Sequence, residues 1–359
     1  MNRVAFARLV VAIVSLAAAL TAVLQLEGER SDVSLDHVIL GDTPATIFRG
    51  PDAAEPLIVV SHGFAGSRQM MHPISLALAK VGATVVAFDY HGHGRHDRPM
   101  SPEIETLTGA TEDLIQQTAR VGGEARTLTG LGPAALVGHS MATDIIVRSA
   151  ERLSDITSVI AISMYSEAVT ATHPERLLVI SGESEERLRE IALEAVAQIA
   201  PSAEGQTVTA GDVSRRAVYA PGVGHVGVLW SAVTSAEIGA WLGMAVTPPP
   251  IGMWLTVLLV ATVALFWPIA SLLPQRPAVE APSLKLAILA SAAGAVAGAM
   301  AALTGLSLMG LSGFGGLALT LAISGAVMLF VLRVKPTFAL SDALPAALLI
   351  LWGLGTGFK

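Results

Sequence analysis

The chain has 359 residues, of which 52% are hydrophobic and 14% charged, with nine histidines and no cysteine; its mean hydropathy is +0.62. This is too apolar for an ordinary water-soluble protein and calls for membrane segments, while the lack of cysteine excludes disulfides and thiolate metal sites. Residues 31–247 carry 14 Lys and Arg against 25 Asp and Glu, and the remainder carries 8 basic and 4 acidic groups, so the acidic middle argues against a nucleic-acid partner, which needs clustered Lys and Arg.

The first element is an apolar run from Leu9 to Leu26, uncharged and preceded by Arg3 and Arg8. A bilayer core takes about 20 residues of helix, so the run is just long enough to span. Ala17-Ala18-Ala19 and Leu20-Thr21-Ala22 also offer the small residues of a signal-peptide cleavage site; the anchor is the favoured reading, and either one sends the following residues out of the cytoplasm. Next, HVIL and ATIF joined by GDTP predict a hairpin at a sheet edge. PLIVVSHGF, ATVVAFDYHGHG, PAALVGHS, SVIAISMYS, RLLVISGES and RAVYAPGVGH then follow, separated by segments of helical character. Short Val, Ile and Ala runs without alternation predict strands buried on both faces, hence a mainly parallel sheet covered by helices. Such sheets place ligands beyond the carboxyl ends of their strands.

After Thr247-Pro248-Pro249-Pro250 the texture becomes apolar, and four helices are expected at Ile251–Leu273, Leu286–Leu306, Gly315–Leu332 and Phe338–Trp352. Polar faces at helical spacing are missing, which disfavours a soluble bundle. With Arg3 and Arg8 inside, successive crossings leave the acidic middle outside, return Arg276, Lys285, Arg333 and Lys335 to the inside, and put only the terminal Lys359 on the outer side. Gly294 and Gly298 form a small-xxx-small pair read as packing within the bundle, and Asp342 is read as interfacial rather than as a proton relay. The expected organisation is an anchor over residues 1–30, an α/β domain over 31–247 and a membrane domain over 248–359.

The residues that carry chemistry lie after the predicted strands. In LVGHSMATDI, Ser140 falls between a strand ending near Val137 and a helix starting near Thr143. A sharp strand–turn–helix junction that presents a nucleophile needs small residues two positions either side of it, which Gly138 and Ala142 supply. A serine hydroxyl also needs a base. His225, in PGVGH after the last predicted strand, has glycines beside it that leave room for the imidazole to turn toward Ser140. The acid is expected in GESEERL, with Glu185 ahead of Glu183 and Glu186. Oxyanion donors are expected from the backbone N–H of Met141 and from that of Phe64 in SHGFAG.

Taken together, His62-Gly63-Phe64, Asp89-Tyr90-His91-Gly92-His93-Gly94, Gly138-His139-Ser140-Met141 and Gly222-Val223-Gly224-His225 resemble the α/β-hydrolase superfamily in order and spacing over roughly residues 36–243. The resemblance implies a serine hydrolase acting on esters, thioesters or amides through an acyl-enzyme. Ala142 stands where glycine is usual, and the acid is Glu rather than the commoner Asp. His91, His93 and His96 also suggest a metal site. The same residues match the structural turn after the family's second strand, though, and no carboxylate pattern completes a hydrolytic metal centre, so the turn reading is preferred and no metal or cofactor is expected. His139 is read as a packing residue. About a dozen residues between Ser163 and Arg176 leave little room for a helical cap, so an open site or a small cap from residues 95–108 is expected.

The function expected is a membrane-anchored serine hydrolase cleaving a carboxylic ester or thioester that is small or lipid-like, with the domain on the extracytoplasmic side of a bacterial inner membrane. An acyltransferase or peptidase with the same residues, or a non-catalytic binding module, are the alternatives.

Overall fold

The computed structural model describes residues 2–51, 53–101, 103, 107–272, 282–304 and 314–334. Two compact units emerge, Met1–Leu273 and Pro274–Lys359.

The first unit opens with helix α1 (Arg3–Arg30), capped by Asn2, whose side chain accepts the N–H of Ala5. The hairpin follows as β1 (Ser34–Leu40) and β2 (Thr43–Arg49). Leu40 pairs with Thr43, so the turn is Gly41-Asp42, and Gly41 takes the φ of +63° that a tight hairpin requires. Then come β3 (Ala54–Ser61), α2 (His72–Ala79), β4 (Ala83–Phe88), α3 (Glu112–Thr129), β5 (Pro133–His139) and α4 (Ala142–Ala150). The domain continues through β6 (Ser158–Ile162), β7 (Arg176–Gly182), α5 (Glu186–Ala197), β8 (Thr207–Ala210), β9 (Val213–Ala220) and α6 (Ala232–Trp241).

The nine strands form one sheet in the order β1-β2-β4-β3-β5-β6-β7-β9-β8. Pairing is parallel from β4 through β3, β5, β6 and β7 to β9, and antiparallel at both edges. The uninterrupted apolar runs have a direct cause, because successive residues point to opposite faces and both faces are covered. Leu57, Val59, Leu136, Val159, Leu177 and Val179 pack under α3, α4 and α5 with Ile115, Ile146 and Val196. Ile58, Val60, Val137, Ile160, Leu178 and Ile180 pack under α2 and α6 with Ile74, Leu78 and Ile238. The segment of helical character between PLIVVSHGF and ATVVAFDYHGHG is α2, and its residues Pro73–Ala79 are all buried. Strand β8 was not expected: TVTA is short and largely exposed, so it has no apolar run to betray it.

Helix α7 (Ile251–Ala270) completes this unit and packs along α1. Both helices are rooted in the domain. Ile251 belongs to the buried cluster that holds Val228, Leu229 and Ile238, and Leu26 packs against the same cluster. A Cβ on Gly252 would approach Trp230 Cβ to 3.2 Å. Lys80, just past α2, donates to Glu29 near the end of α1 at 2.5 Å. In the second unit, α8 (Leu284–Ala302) packs on α9 (Phe314–Val331). A Cβ on Gly294 would lie 2.6 Å from Met328 Cγ, so this small residue serves helix contact inside the unit. Among the described residues, three helices, Arg3–Arg30, Ile251–Ala270 and Leu284–Ala302, are long and apolar enough to cross a membrane, and Leu319–Val331 is a shorter apolar stretch. The fourth expected helix, Phe338–Trp352, lies outside the described residues, as do Arg276, Lys335, Asp342 and Lys359.

Candidate active site

Six turns converge at the carboxyl ends of β3, β4, β5, β6, β7 and β9, as open α/β sheets arrange their sites. The sharpest follows β5. Ser140 sits at φ +53°, a left-handed conformation that costs a non-glycine residue about 1–3 kcal/mol. Neighbours hold it there. Its N–H donates to the Ile162 carbonyl at 2.9 Å, and its own carbonyl accepts from Thr143 N–H at 2.9 Å and Thr143 Oγ1 at 2.7 Å. Gly138 is needed because a Cβ there would stand 3.0 Å from both the Ala142 carbonyl oxygen and Ile146 Cδ1. Ala142 itself is fully buried, so its methyl fits the turn without glycine.

Ser140 Oγ lies 2.9 Å from His225 Nε2, and His225 Nδ1 lies 2.6 Å from Glu185 Oε1. The second Glu185 oxygen accepts from Ser163 Oγ at 2.7 Å and from the Gly182 N–H at 2.5 Å. Both oxygens of this buried carboxylate are therefore engaged, and the one facing His225 favours the tautomer with hydrogen on Nδ1. Nε2 is then free to accept a proton from the serine. The other two acids lie elsewhere. Glu183 accepts the Gly222 N–H at 2.7 Å and so braces the turn before His225, while Glu186 begins α5.

The turn after β3 runs beside the serine: a Cβ on Gly63 would sit 3.0 Å from Ser140 Cβ and 2.9 Å from His139 Nδ1. The backbone N–H groups of Phe64 and Met141 have no acceptor among the described residues. His62 fixes this turn from beneath. Its Nδ1–H donates to the Gly63 carbonyl at 2.8 Å, and its Nε2 accepts the Tyr90 N–H at 3.1 Å. Ser140, Met141, Leu107, Asp144, Arg148, Tyr165 and Glu167 line an adjoining cleft of about 440 Å³. Leu107 comes from the region expected to form a small cap, of which residues 102 and 104–106 lie outside the described set.

Two contributors escaped the sequence reading. His139, expected only to pack, donates Nε2–H to the His225 carbonyl at 2.8 Å and so ties the turn after β9 to β5. Ser163, itself at φ +54°, orients Glu185. Neither has a sequence signature, since each acts through a partner far along the chain.

The motif after β4 forms a turn around Asp89, which accepts from the N–H groups of Arg68 (2.7 Å) and Arg95 (3.0 Å) and forms a buried ion pair with Arg68. Gly94, at φ +55°, leaves room for that carboxylate. The three histidines of this loop separate. His93 donates from Nδ1 to the His91 carbonyl at 2.9 Å and faces Phe64 and His62, while His91 and His96 turn toward Asp42. Burial first, then the charges of His96 and Arg98, pushes His91 down to about 4. Asp42 is pushed up by burial, but its own backbone hydrogen bond and then His96 and His91 bring it below the usual carboxylate value.

Burial also depresses His62, His72 and His139 to about 4 each, from 6.5. An unfolded chain protonates these imidazoles near 6.5, whereas the folded chain resists until about 4. The unfolded state thus binds more protons in that window, so stability falls as pH drops from 6.5 toward 4. The midpoint of thermal unfolding in detergent should decline steadily between those limits and level off above them. A midpoint independent of pH there would contradict the buried, neutral assignment.

Residues 56–177 match the family described as alpha/beta hydrolase fold. None of the curated proteins matches the chain. Among solved structures, a dienelactone hydrolase from Anabaena variabilis is similar at 14% identity and TM-score 0.45, over 60% of this chain and 99% of that one. A Thermus thermophilus protein is similar at 18% identity and TM-score 0.42, over 59% and 97%. A bacterial membrane phospholipase A described as a virulence factor is similar at 14% identity and TM-score 0.41, over 63% and 92%. With its mostly parallel sheet and helices on both faces, the domain between α1 and α7 has the α/β-hydrolase fold, and the chain joins it to helices long and apolar enough to cross a membrane.

Proposed function

We propose that the protein is a membrane-anchored serine hydrolase that cleaves a carboxylic ester or thioester through an acyl-enzyme on Ser140. The observation that carries this reading is the continuous relay from Ser140 Oγ through His225 to Glu185. In the mechanism, His225 Nε2 takes the serine proton as Oγ attacks the carbonyl carbon, and Glu185 stabilises the imidazolium that forms. The Met141 and Phe64 N–H groups face the developing oxyanion, where one such donor is worth about 10²–10³ in rate. His225 then hands the proton to the departing alkoxide or thiolate. Water, activated by the same imidazole, attacks the acyl-enzyme and returns Ser140.

The domain limits 1–30, 31–247 and 248–359 belong to the same proposal, with α1 retained as an anchor. The packing of α1 along α7 and the Lys80–Glu29 contact support retention. Asymmetry of Lys and Arg across the apolar runs supports an extracytoplasmic domain, and we assign it to a bacterial inner membrane. The cleft is open and partly apolar, with Leu107, Met141 and Tyr165 along it. Together with tethering at both ends, this favours small or lipid-like esters near the bilayer surface.

The test is turnover of a series of p-nitrophenyl acyl esters by the full-length protein in detergent, with and without an added alcohol. Release of free acid, lost in Ser140→Ala, supports the hydrolase. Acyl transfer to the alcohol in preference to water turns the assignment to an acyltransferase. Turnover unchanged in Ser140→Ala refutes both.

A further inference from the structure

The β1–β2 turn and the loop after β4 meet at a point the proposed reaction does not use. Asp42, His91 and His96 each direct one ligand atom into it, all within 4.8 Å of one another. His91 is 1% exposed, yet neither of its ring nitrogens has a hydrogen-bond partner among the described residues. A buried imidazole normally satisfies at least one nitrogen. This one faces a carboxylate and a second imidazole, whose ring centre is 4.6 Å away.

We infer that Asp42, His91 and His96 bind a divalent cation of borderline softness, zinc in the first instance, which clamps the hairpin turn to the loop after β4. Two neutral imidazoles and a carboxylate are a common donor set for zinc, with a fourth position left on the solvent side. Bonds of about 2.0–2.1 Å put tetrahedral ligand atoms about 3.3 Å apart, so the groups, all within 4.8 Å, need close by no more than about 1.5 Å. Asp42 is exposed and His96 only partly buried, so these two can move while His91 stays fixed.

The surroundings suit this closure. Gln117 Oε1 accepts the His91 N–H at 3.0 Å, and Gln117 Nε2 donates to Thr43 Oγ1 at 3.0 Å, which already registers the loop against the turn. His96 Nδ1 accepts the Arg98 N–H at 3.1 Å, and its Nε2 lies 3.5 Å from Thr43 Oγ1. A metal bound through Nδ1 would displace only the Arg98 N–H and leave Nε2–H to Thr43, an outer-shell bond of the kind that orients metal-bound histidines. Two cations lie nearby, but Arg98 is drawn off by Asp113 at 3.3 Å and Arg120 is exposed to solvent screening. Through the His93–His91 hydrogen bond and the contact of His93 with Phe64, the clamp would also stiffen the turn beside Ser140.

The experiment uses the full-length, untagged protein in detergent, stripped with a chelator and titrated with zinc chloride against a chromophoric competitor. Wild type should bind one equivalent, with an unfolding midpoint that rises on zinc addition. His96→Ala and Asp42→Ala, at accessible positions, should keep the metal-free midpoint yet weaken binding by more than about tenfold, the least expected even for an outer-shell partner. Failure of wild type to take up a stoichiometric equivalent, or uptake unchanged in both variants, would overturn the site. A metal-free midpoint lowered in one variant passes the decision to the other, and if both are lowered Asp42→Asn replaces them under the same criterion.

Discussion

Glu185→Gln should lower kcat for ester cleavage by about 10³–10⁴-fold while changing KM little. The estimate follows from the role of a triad acid, which sets the histidine tautomer and stabilises imidazolium only once the serine proton has moved. In the proposed reaction Glu185 takes that role, with one oxygen on His225 Nδ1 and the other held by Ser163 and Gly182. The amide keeps the shape but carries no negative charge, so ground-state binding survives and transition-state stabilisation does not. Glu183→Gln, at a side chain that accepts the Gly222 N–H and does not reach His225, should cost far less. Steady-state kinetics of both variants decides the matter. A large kcat loss in Glu183→Gln with Glu185→Gln near wild type would reassign the acid.

The largest effect on stability is expected at Arg68→Leu. It leaves Asp89 fully buried with its backbone donors but no counter-charge, and breaking a buried pair in this way costs about 3–5 kcal/mol. For a domain of this size that corresponds to an unfolding midpoint lower by about 10 °C. Adding Asp89→Asn to Arg68→Leu should recover much of the loss, because the stranded charge is gone. Thermal unfolding of the two single variants and the double variant gives the coupling. Additive losses would mean that the pair contributes no more than its separate contacts.

The central strands were legible because a doubly covered parallel sheet demands apolar residues on both faces, and PLIVV, ATVVAF and SVIAI supply them at all but Thr84 and Ser158. The serine turn was legible for a related reason. Its φ of +53° and the 3.0 Å approach at Gly138 dictate small residues at fixed offsets. What escaped was held by contacts distant in sequence. β8 exists because β9 offers it an edge, Ser163 acts through Glu185, and His139 acts through the His225 carbonyl. The histidines after β4 could be seen as a group, but the hairpin that brings Asp42 to two of them could not be inferred from their spacing. His93 was grouped with them by sequence and is turned toward Phe64 by the fold.

The most direct measurement is covalent labelling of membranes containing the full chain with a fluorophosphonate, which reacts with a serine only when a neighbouring base activates it. Wild type should label, and Ser140→Ala and His225→Ala should not, at equal protein levels and equal unfolding midpoints. A folded wild type that does not label, or labelling that persists in Ser140→Ala, would contradict the assignment of Ser140 as nucleophile.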